Sequence, residues 1–165
     1  MAAEIDHLQR ALRAKSSDMA TISLQRHIAL LKESQLKVEL DKFRRSGKFG
    51  EAAQKAGDLE RQTRLLGSYA FKIEALADEA LDLYRQITES EVEELEAQLQ
   101  RMRSELRQAM AGPAEGTGNA EALSRRIDGV TSSWLQKQSE VLQLRNKGSE
   151  FSRAWRERFL GRQLR

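Results

Sequence analysis

The sequence of 165 residues contains no cysteine, one proline and only 5% aromatic residues. The absence of cysteine excludes disulfide bonds, cysteine-ligated zinc, iron–sulfur clusters and thiol nucleophiles. No apolar run approaches the ~20 residues that cross a bilayer, so we expect no transmembrane segment. Charged residues recur every few positions at the N-terminus, unlike in a signal peptide. We therefore expect an intracellular, cytoplasmic protein whose mature form is the whole chain.

The residues that are abundant are strong helix formers. Ala, Glu, Lys, Leu and Arg account for 88 of the 165 residues, a proportion typical of coiled coils and long-helix proteins. Few residues are β-branched, and no alternating strand pattern is present. The composition therefore predicts an all-α protein.

The first predicted helix, helix A, runs from about residue 3 to residue 45. Two stripes of apolar residues at 3-, 4- and 7-residue spacings follow one another along it, first Ile5, Leu8, Leu12, Met19 and Ile22, then Leu24, Ile28, Leu31 and Val38. The change of stripe follows Ser16, Ser17 and Asp18, which favour helix caps and predict a kink or a break there. Basic residues followed by Gly47 predict the end of the helix.

Helix B is predicted over about residues 51–110. Apolar residues recur every seven positions at Leu59, Leu66, Ile73, Ala80 and Ile87, with Tyr69, Leu76 and Leu83 between them, which indicates a coiled-coil seam. We expect Leu66, Ile73 and Leu83 to be buried. The phase of the repeat slips near residue 88. Either one helix that bends or a short break explains the slip, and the sequence favours the bent helix.

The segment 111–119 holds three glycines and the only proline, and predicts a linker. Helix C then covers about residues 120–163. Its seam consists of Leu123, Val130, Leu144 and Phe151 at one heptad position, and Ile127, Trp134, Val141 and Trp155 at the other. Lys137 and Gly148 interrupt this seam, and residues 128–129 are a second possible break.

Residues 40–53, with Leu59 and Glu60 downstream, resemble the short helical hairpins of UVR-type motifs and of the coiled-coil middle domains of some disaggregases. The resemblance implies a tight antiparallel turn at residues 46–50. Short connections force neighbouring helices to run antiparallel. The sequence therefore predicts a single all-α domain over residues 1–165, built as an elongated antiparallel coiled-coil hairpin or as a three-helix bundle.

The groups that catalysis requires are scarce in this chain. His7 and His27 lie twenty residues apart without a metal-ligand spacing, and Gly47 and Gly50 lack the frame of a phosphate-binding loop. The glutamates of residues 89–96 are typical of a solvated helix face. We expect a protein that is not an enzyme and that uses no metal, cofactor or small-molecule substrate.

The C-terminal segment has the most suggestive pattern for binding. Residues 145–165 contain seven basic and two acidic residues. Phe151, Trp155 and Phe159 follow at a four-residue spacing, which places the three rings on one side of a helix. The candidate partner-binding residues are Phe151, Arg153, Trp155, Arg156, Arg158 and Phe159. The same residues are also compatible with the covered end of a helical bundle.

These observations favour a coiled-coil scaffold, adaptor or chaperone-like assembly subunit that docks its helices against a protein partner, acidic or helical. Helix A has more apolar surface than one antiparallel helix covers, so either helix C or a second copy of the chain must cover the rest. The competing interpretation is a binder of nucleic acid or of an anionic membrane surface through the basic C-terminal helix.

Overall fold

The computed structural model describes residues 2–112 and 117–164. This part of the chain contains four helices, which are α1 (Ala2–Arg45), α2 (Phe49–Ala111), α3 (Thr117–Arg145) and α4 (Glu150–Gln163). The described residues are 94% helical and include no strand. The prediction of an all-α protein is confirmed. The predicted linker lies partly outside the described residues, since these stop at Gly112 and resume at Thr117.

The turn between α1 and α2 is a C-terminal helix cap centred on Gly47. The amide of Lys48 donates to the carbonyl of Phe43 at 3.0 Å, and the amide of Gly47 donates to the carbonyl of Arg44 at 3.2 Å. This pair of hydrogen bonds is the Schellman motif, which requires a left-handed residue between them. Gly47 has a φ of 73°, the conformation that glycine adopts without steric cost.

Three breaks that the sequence allowed do not occur in the helices described. Helix α1 continues through residues 16–18, where Thr21 Oγ1 donates to the carbonyl of Ser17 at 3.1 Å within the helix. Helix α2 continues through the change of phase near residue 88, with Thr88 fully buried. Helix α3 continues through residues 128–129. At all three places the polar side chains coexist with an unbroken helical backbone.

The expectation of one helix over residues 120–163 is wrong, because the chain leaves the helix between α3 and α4. The cause is a pair of serines. Ser149 caps α4 by accepting a hydrogen bond from the amide of Ser152 at 3.1 Å, and its own hydroxyl donates to the carbonyl of Gln143 at 2.7 Å. The buried Ser152 hydroxyl reaches the carbonyls of Gln143 and Asn146 at 3.0 and 3.1 Å. The two hydroxyls thus satisfy carbonyls that the end of α3 leaves without helical partners.

The contacts of the described residues divide into two compact units. Unit 1 takes in residues 1–12 and 81–155, and unit 2 takes in residues 13–80 and 156–165. In unit 2, Met19 of α1 packs with Ile73 and Ala77 of α2, and Phe159 and Leu160 of α4 lie against this cluster. The buried apolar residues of unit 1 are Ile5, Leu81, Ile87, Leu99, Met102, Leu123, Val141 and Leu144. The sequence-based prediction of a single domain stays a prediction.

The predicted seam of α2 is found in part. Ile73 is buried, whereas Leu66 and Leu83 are half-buried.

Changing Ile73 to Asp places a charge in the Met19 cluster and should lower the free energy of unfolding by about 3 kcal/mol. The matched control is Ser68→Asp on the exposed side of the same helix, which should change it by less than about 0.5 kcal/mol. Urea denaturation measures both, and equal effects of the two substitutions would contradict the assignment of the core.

The glycines of the turn and of α2 provide a second test. Gly47→Ala should destabilise the chain by about 1 kcal/mol, because alanine at a φ of 73° is strained although nothing lies within 4 Å of the added methyl group. Gly57→Ala adds a methyl group to open space inside α2 and should stabilise it by about 1 kcal/mol. Opposite shifts of the thermal unfolding midpoint are expected. Shifts of the same sign would rule out the left-handed turn.

Candidate protein-interaction surfaces

All six candidate residues of the C-terminal segment lie in α4. Phe151, Arg153 and Trp155 belong to unit 1, and Arg156, Arg158 and Phe159 belong to unit 2. The three rings and Arg156 are half-buried, whereas Arg153 and Arg158 are exposed. The aromatic side of α4 is therefore partly covered by the chain itself.

Within unit 1, Trp155 packs against an aromatic residue of α2. The rings of Tyr84 and Trp155 stack with their centroids 5.1 Å apart and their planes at 23°. The Tyr84 hydroxyl donates to Glu140 Oε1 at 2.6 Å. Burial and this hydrogen bond to the carboxylate raise the pKa of Tyr84 above its ordinary value. The stack thus joins α4 to α2, and the Tyr84 hydroxyl joins α2 to α3.

Lys137, which interrupts the predicted seam, takes part in a charged cluster in the same unit. Its Nζ lies 2.7 Å from Glu91 Oε2 and 3.7 Å from Glu140 Oε2. Burial lowers the pKa of Lys137, but the two carboxylates outweigh this effect and raise it above its ordinary value. Arg145 also bonds Glu89 on α2 at 3.0 Å. These pairs between α2 and α3 favour one register of the two helices.

Within unit 2, the end of α4 is fixed by both polar and apolar contacts. Arg156 spans two carboxylates of α2, with Nη2 2.5 Å from Glu74 Oε2 and Nη1 3.2 Å from Asp78 Oδ1. Phe159 packs against the Met19 cluster, and Gln163 Nε2 donates to Ser16 Oγ of α1. These contacts give Arg156 and Phe159 a structural role in unit 2.

A row of exposed apolar side chains lies on α1. Leu24, Ile28, Leu31 and Val38, called the outer stripe below, are 58–70% exposed. The apolar spacing predicts that these four residues continue the packed seam, and their exposure contradicts this prediction. The buried residues of this part of α1 are Ala29, Leu36 and Leu40. Leu31 and Val38 each lie two positions after a buried residue, and two positions correspond to a rotation of about 200° around the helix.

Small and polar side chains decide which stripe faces α2. Ala29 is buried against α2, where Gln62 Nε2 donates to its backbone carbonyl at 3.0 Å. The buried residues of α2 in unit 2 include Ala52, Ala77 and Ala80. Alanines allow two helix backbones to approach closely, and the buried glutamine amide is satisfied only at that distance. The larger residues of the outer stripe are left on the opposite face.

The charges around the outer stripe are mostly positive. Residues 24–45 of α1 contain six Lys and Arg against three Asp and Glu. Glu39 Oε2 lies 2.6 Å from Lys55 Nζ. Their mutual hydrogen bond lowers the pKa of Glu39 and raises the pKa of Lys55. Glu33 likewise lies 3.1 Å from Lys37, so that much of the acidic charge of α1 is already matched.

Two grooves accompany these surfaces, one in each unit. In unit 2, a groove of about 470 Å³ lies between α1 and α2 and is lined by Thr21, Ile22, Gln25, Phe71 and Leu76, among others. Phe71 on its rim is highly exposed. In unit 1, a groove of about 180 Å³ is lined by Val92, Val141 and Leu142 with Glu89 and Arg145.

In residues 2–112 and 117–164, no group of three or more His, Asp or Glu side chains could hold a metal ion. None of the four helices combines the length and apolarity needed to cross a membrane.

Comparison with known proteins gives no family assignment. No protein-family model matches the chain, and no curated protein or solved structure matches it significantly.

The stacked pair in unit 1 can be tested by a double-mutant cycle. Tyr84→Leu and Trp155→Leu should each destabilise the chain, and their coupling energy should be about 1 kcal/mol because the rings lose a direct stack. Pairing Tyr84→Leu with Arg153→Ala, which changes an exposed residue of the same helix, should give no coupling beyond about 0.3 kcal/mol. Denaturant unfolding measures each corner of the cycle. Coupling near zero for the aromatic pair would contradict the docking of α4 on α2.

Proposed function

We propose that this protein is a non-enzymatic helical interaction protein, a coiled-coil scaffold, adaptor or chaperone-like assembly subunit that docks its helices against a protein partner. In this proposal α1 and α2 act as an antiparallel coiled-coil hairpin or as part of a three-helix bundle. The outer stripe of α1 (Leu24, Ile28, Leu31 and Val38) receives a helix of the partner. The cytoplasm is the proposed location.

The observation that carries the proposal is the exposure of four large aliphatic residues at heptad spacing on one helix face. Single exposed apolar residues are normal on protein surfaces. A continuous apolar stripe is different, because it is the surface that a coiled-coil partner or a helix-in-groove ligand recognises. The stripe from Leu24 to Val38 extends over about 21 Å at 1.5 Å per residue, a length that a partner helix of four turns can cover.

The size of the stripe indicates what kind of binding to expect. Full burial of one aliphatic side chain contributes about 1.5–3 kcal/mol, and association itself costs at least about 4 kcal/mol in lost freedom of motion. Four such residues, each already partly covered, therefore support a dissociation constant in the micromolar range at best. Contacts beside the stripe must supply further affinity and specificity.

The second candidate function is binding of nucleic acid or of an anionic membrane through α4. Its support is the exposure of Arg153 and Arg158 and the excess of basic residues in 145–165. Arg156 and Phe159 contribute less to such a surface, because Arg156 pairs with Glu74 and Asp78 and Phe159 packs against the Met19 cluster. Phe151 and Trp155 are half-buried as well. We therefore rank this function below the docking of a protein helix.

Selection from a displayed library of amphipathic helices tests the proposal directly. The library fixes a heptad leucine seam and randomises the flanking positions, and the full chain serves as the target. We expect selected helices to bind the wild type and to lose at least tenfold in affinity for the double variant Ile28→Asp, Leu31→Asp, because two charges then face the leucine seam. Both changed positions are exposed, so thermal unfolding should show a folded variant.

The matched control carries Arg153→Glu and Arg158→Glu in α4. This variant should keep the affinity of the selected helices unchanged. Absence of any selected binder, or binders that ignore the stripe variant, would contradict the docking proposal. Binding of DNA or of phosphatidylserine vesicles that weakens steeply with salt and disappears in the α4 variant would support the second function instead.

A further inference from the structure

Provided that the proposed docking function holds, the charges near the outer stripe indicate the chemistry of the helix that covers it. We infer that the partner is an amphipathic helix of another protein whose apolar seam is bordered by Asp and Glu residues. Three observations on the α1–α2 part of unit 2 lead to this inference.

First, basic residues accompany the stripe along α1. Lys32 directly follows Leu31, and Lys42 and Arg45 occupy the next two positions of the same heptad pattern after Val38. All three side chains are exposed. A helix laid along the stripe would place its own border positions beside Lys32, and acidic residues at its end would meet Lys42 and Arg45 beyond Val38. Between Lys32 and Arg45, Asp41 is the one exposed acidic residue.

Second, four of the six acidic residues in residues 26–72 are paired with basic residues of the same unit. Glu39 pairs with Lys55 at 2.6 Å and Glu33 pairs with Lys37 at 3.1 Å. On α2, Glu60 pairs with Arg64 at 2.5 Å, and Asp58 pairs with Arg61. These pairs cancel charge within the unit, and residues 24–45 of α1 keep an excess of three positive charges that can act on a ligand.

Third, the excess grows toward the turn. Residues 42–48 contain four Lys and Arg and no acidic residue. The bases of the last turn of α1 also complement the negative end of the helix dipole, which accounts for part of this concentration. Residues 42–48 nevertheless extend the positive border of the stripe by a further turn.

The same charges argue against a second copy of the chain on the stripe. Self-pairing through α1 would bring two regions with the same excess of positive charge together, and like charges across an interface oppose association. An acidic helix gains from each of these cations. Exposed ion pairs are individually weak, but three of them together amount to about a tenfold preference over an uncharged border.

Three synthetic helices with one leucine seam and different borders test the inference. The borders are Glu, Gln or Lys, and each peptide is titrated against the full chain at about 50 and 500 mM salt. We expect the Glu peptide to bind about tenfold tighter than the Gln peptide, and the Lys peptide to bind weakest. At high salt the three affinities should converge to within about threefold, because salt screens exposed pairs.

Charge reversal at the stripe and away from it provides the matched comparison. Lys32→Glu with Lys42→Glu should abolish or invert the preference for the Glu peptide. Arg103→Glu with Arg126→Glu makes the same change in net charge at exposed positions of α2 and α3 in unit 1, and should leave the preference in place.

The outcomes separate this inference from the function on which it rests. Equal binding of all three peptides that still requires Ile28 and Leu31 would overturn the acidic border and leave helix docking intact. Absence of binding by every peptide would overturn both. Sedimentation equilibrium that shows a dimer abolished by Leu31→Asp, or stripe-dependent binding to phosphatidylserine vesicles, would assign the stripe to a second copy or to a membrane and overturn the inference.

Discussion

A single helix that carries apolar residues on two opposite faces can bury only one of them against one neighbour, and this constraint determines what α1 does. Between residues 19 and 40, one face presents Met19, Ala29, Leu36 and Leu40 to the interior of unit 2. The other face presents the outer stripe to solvent. A helix that is apolar on both sides is ordinarily buried on both. Helix α1 therefore has the composition of a helix with neighbours on both faces, and in the described part of unit 2 its packed face meets α2 and, at Met19, α4.

The buried face of α1 carries alanine as well as leucine. The alanines of α1 and α2 contribute less apolar surface than the leucines of the outer stripe, yet they lie inside. The hydrogen bond from the buried Gln62 amide to the Ala29 carbonyl favours burial of this face, because breaking it would leave a buried polar group without a partner. Elsewhere in unit 2, Arg156 and Phe159 hold the end of α4 against α2 and the Met19 cluster. Arg156 and Phe159, two of the candidate binding residues of α4, thus take part in packing, and the exposed apolar stripe lies on α1.

Much of the secondary structure could be predicted from the sequence, since it depends on local chemistry. Composition predicted the helices, and Gly47 after a basic turn predicted the end of α1. The break between α3 and α4 was missed because it depends on Ser149 and Ser152, whose hydroxyls reach back six to nine residues to Gln143. The pattern of Ser149 three residues before Ser152, following Gly148, is the signal that could have indicated it. Which of two apolar stripes faces α2 could not be read from hydrophobicity, because periodicity gives the spacing of a stripe and not its partner.

The central claim is that the outer stripe of α1 is free in the isolated chain while the opposite face is packed. Because the sequence contains no cysteine, a single introduced thiol can report the exposure of each face without background. Leu31→Cys and Leu36→Cys differ by five positions and lie on opposite faces of the same helix. The account predicts that a maleimide reacts with the thiol at position 31 at nearly the rate of an unfolded control, and at least about a hundredfold more slowly at position 36, where reaction requires local opening. Equal protection of both thiols, or protection of position 31 alone, would contradict it.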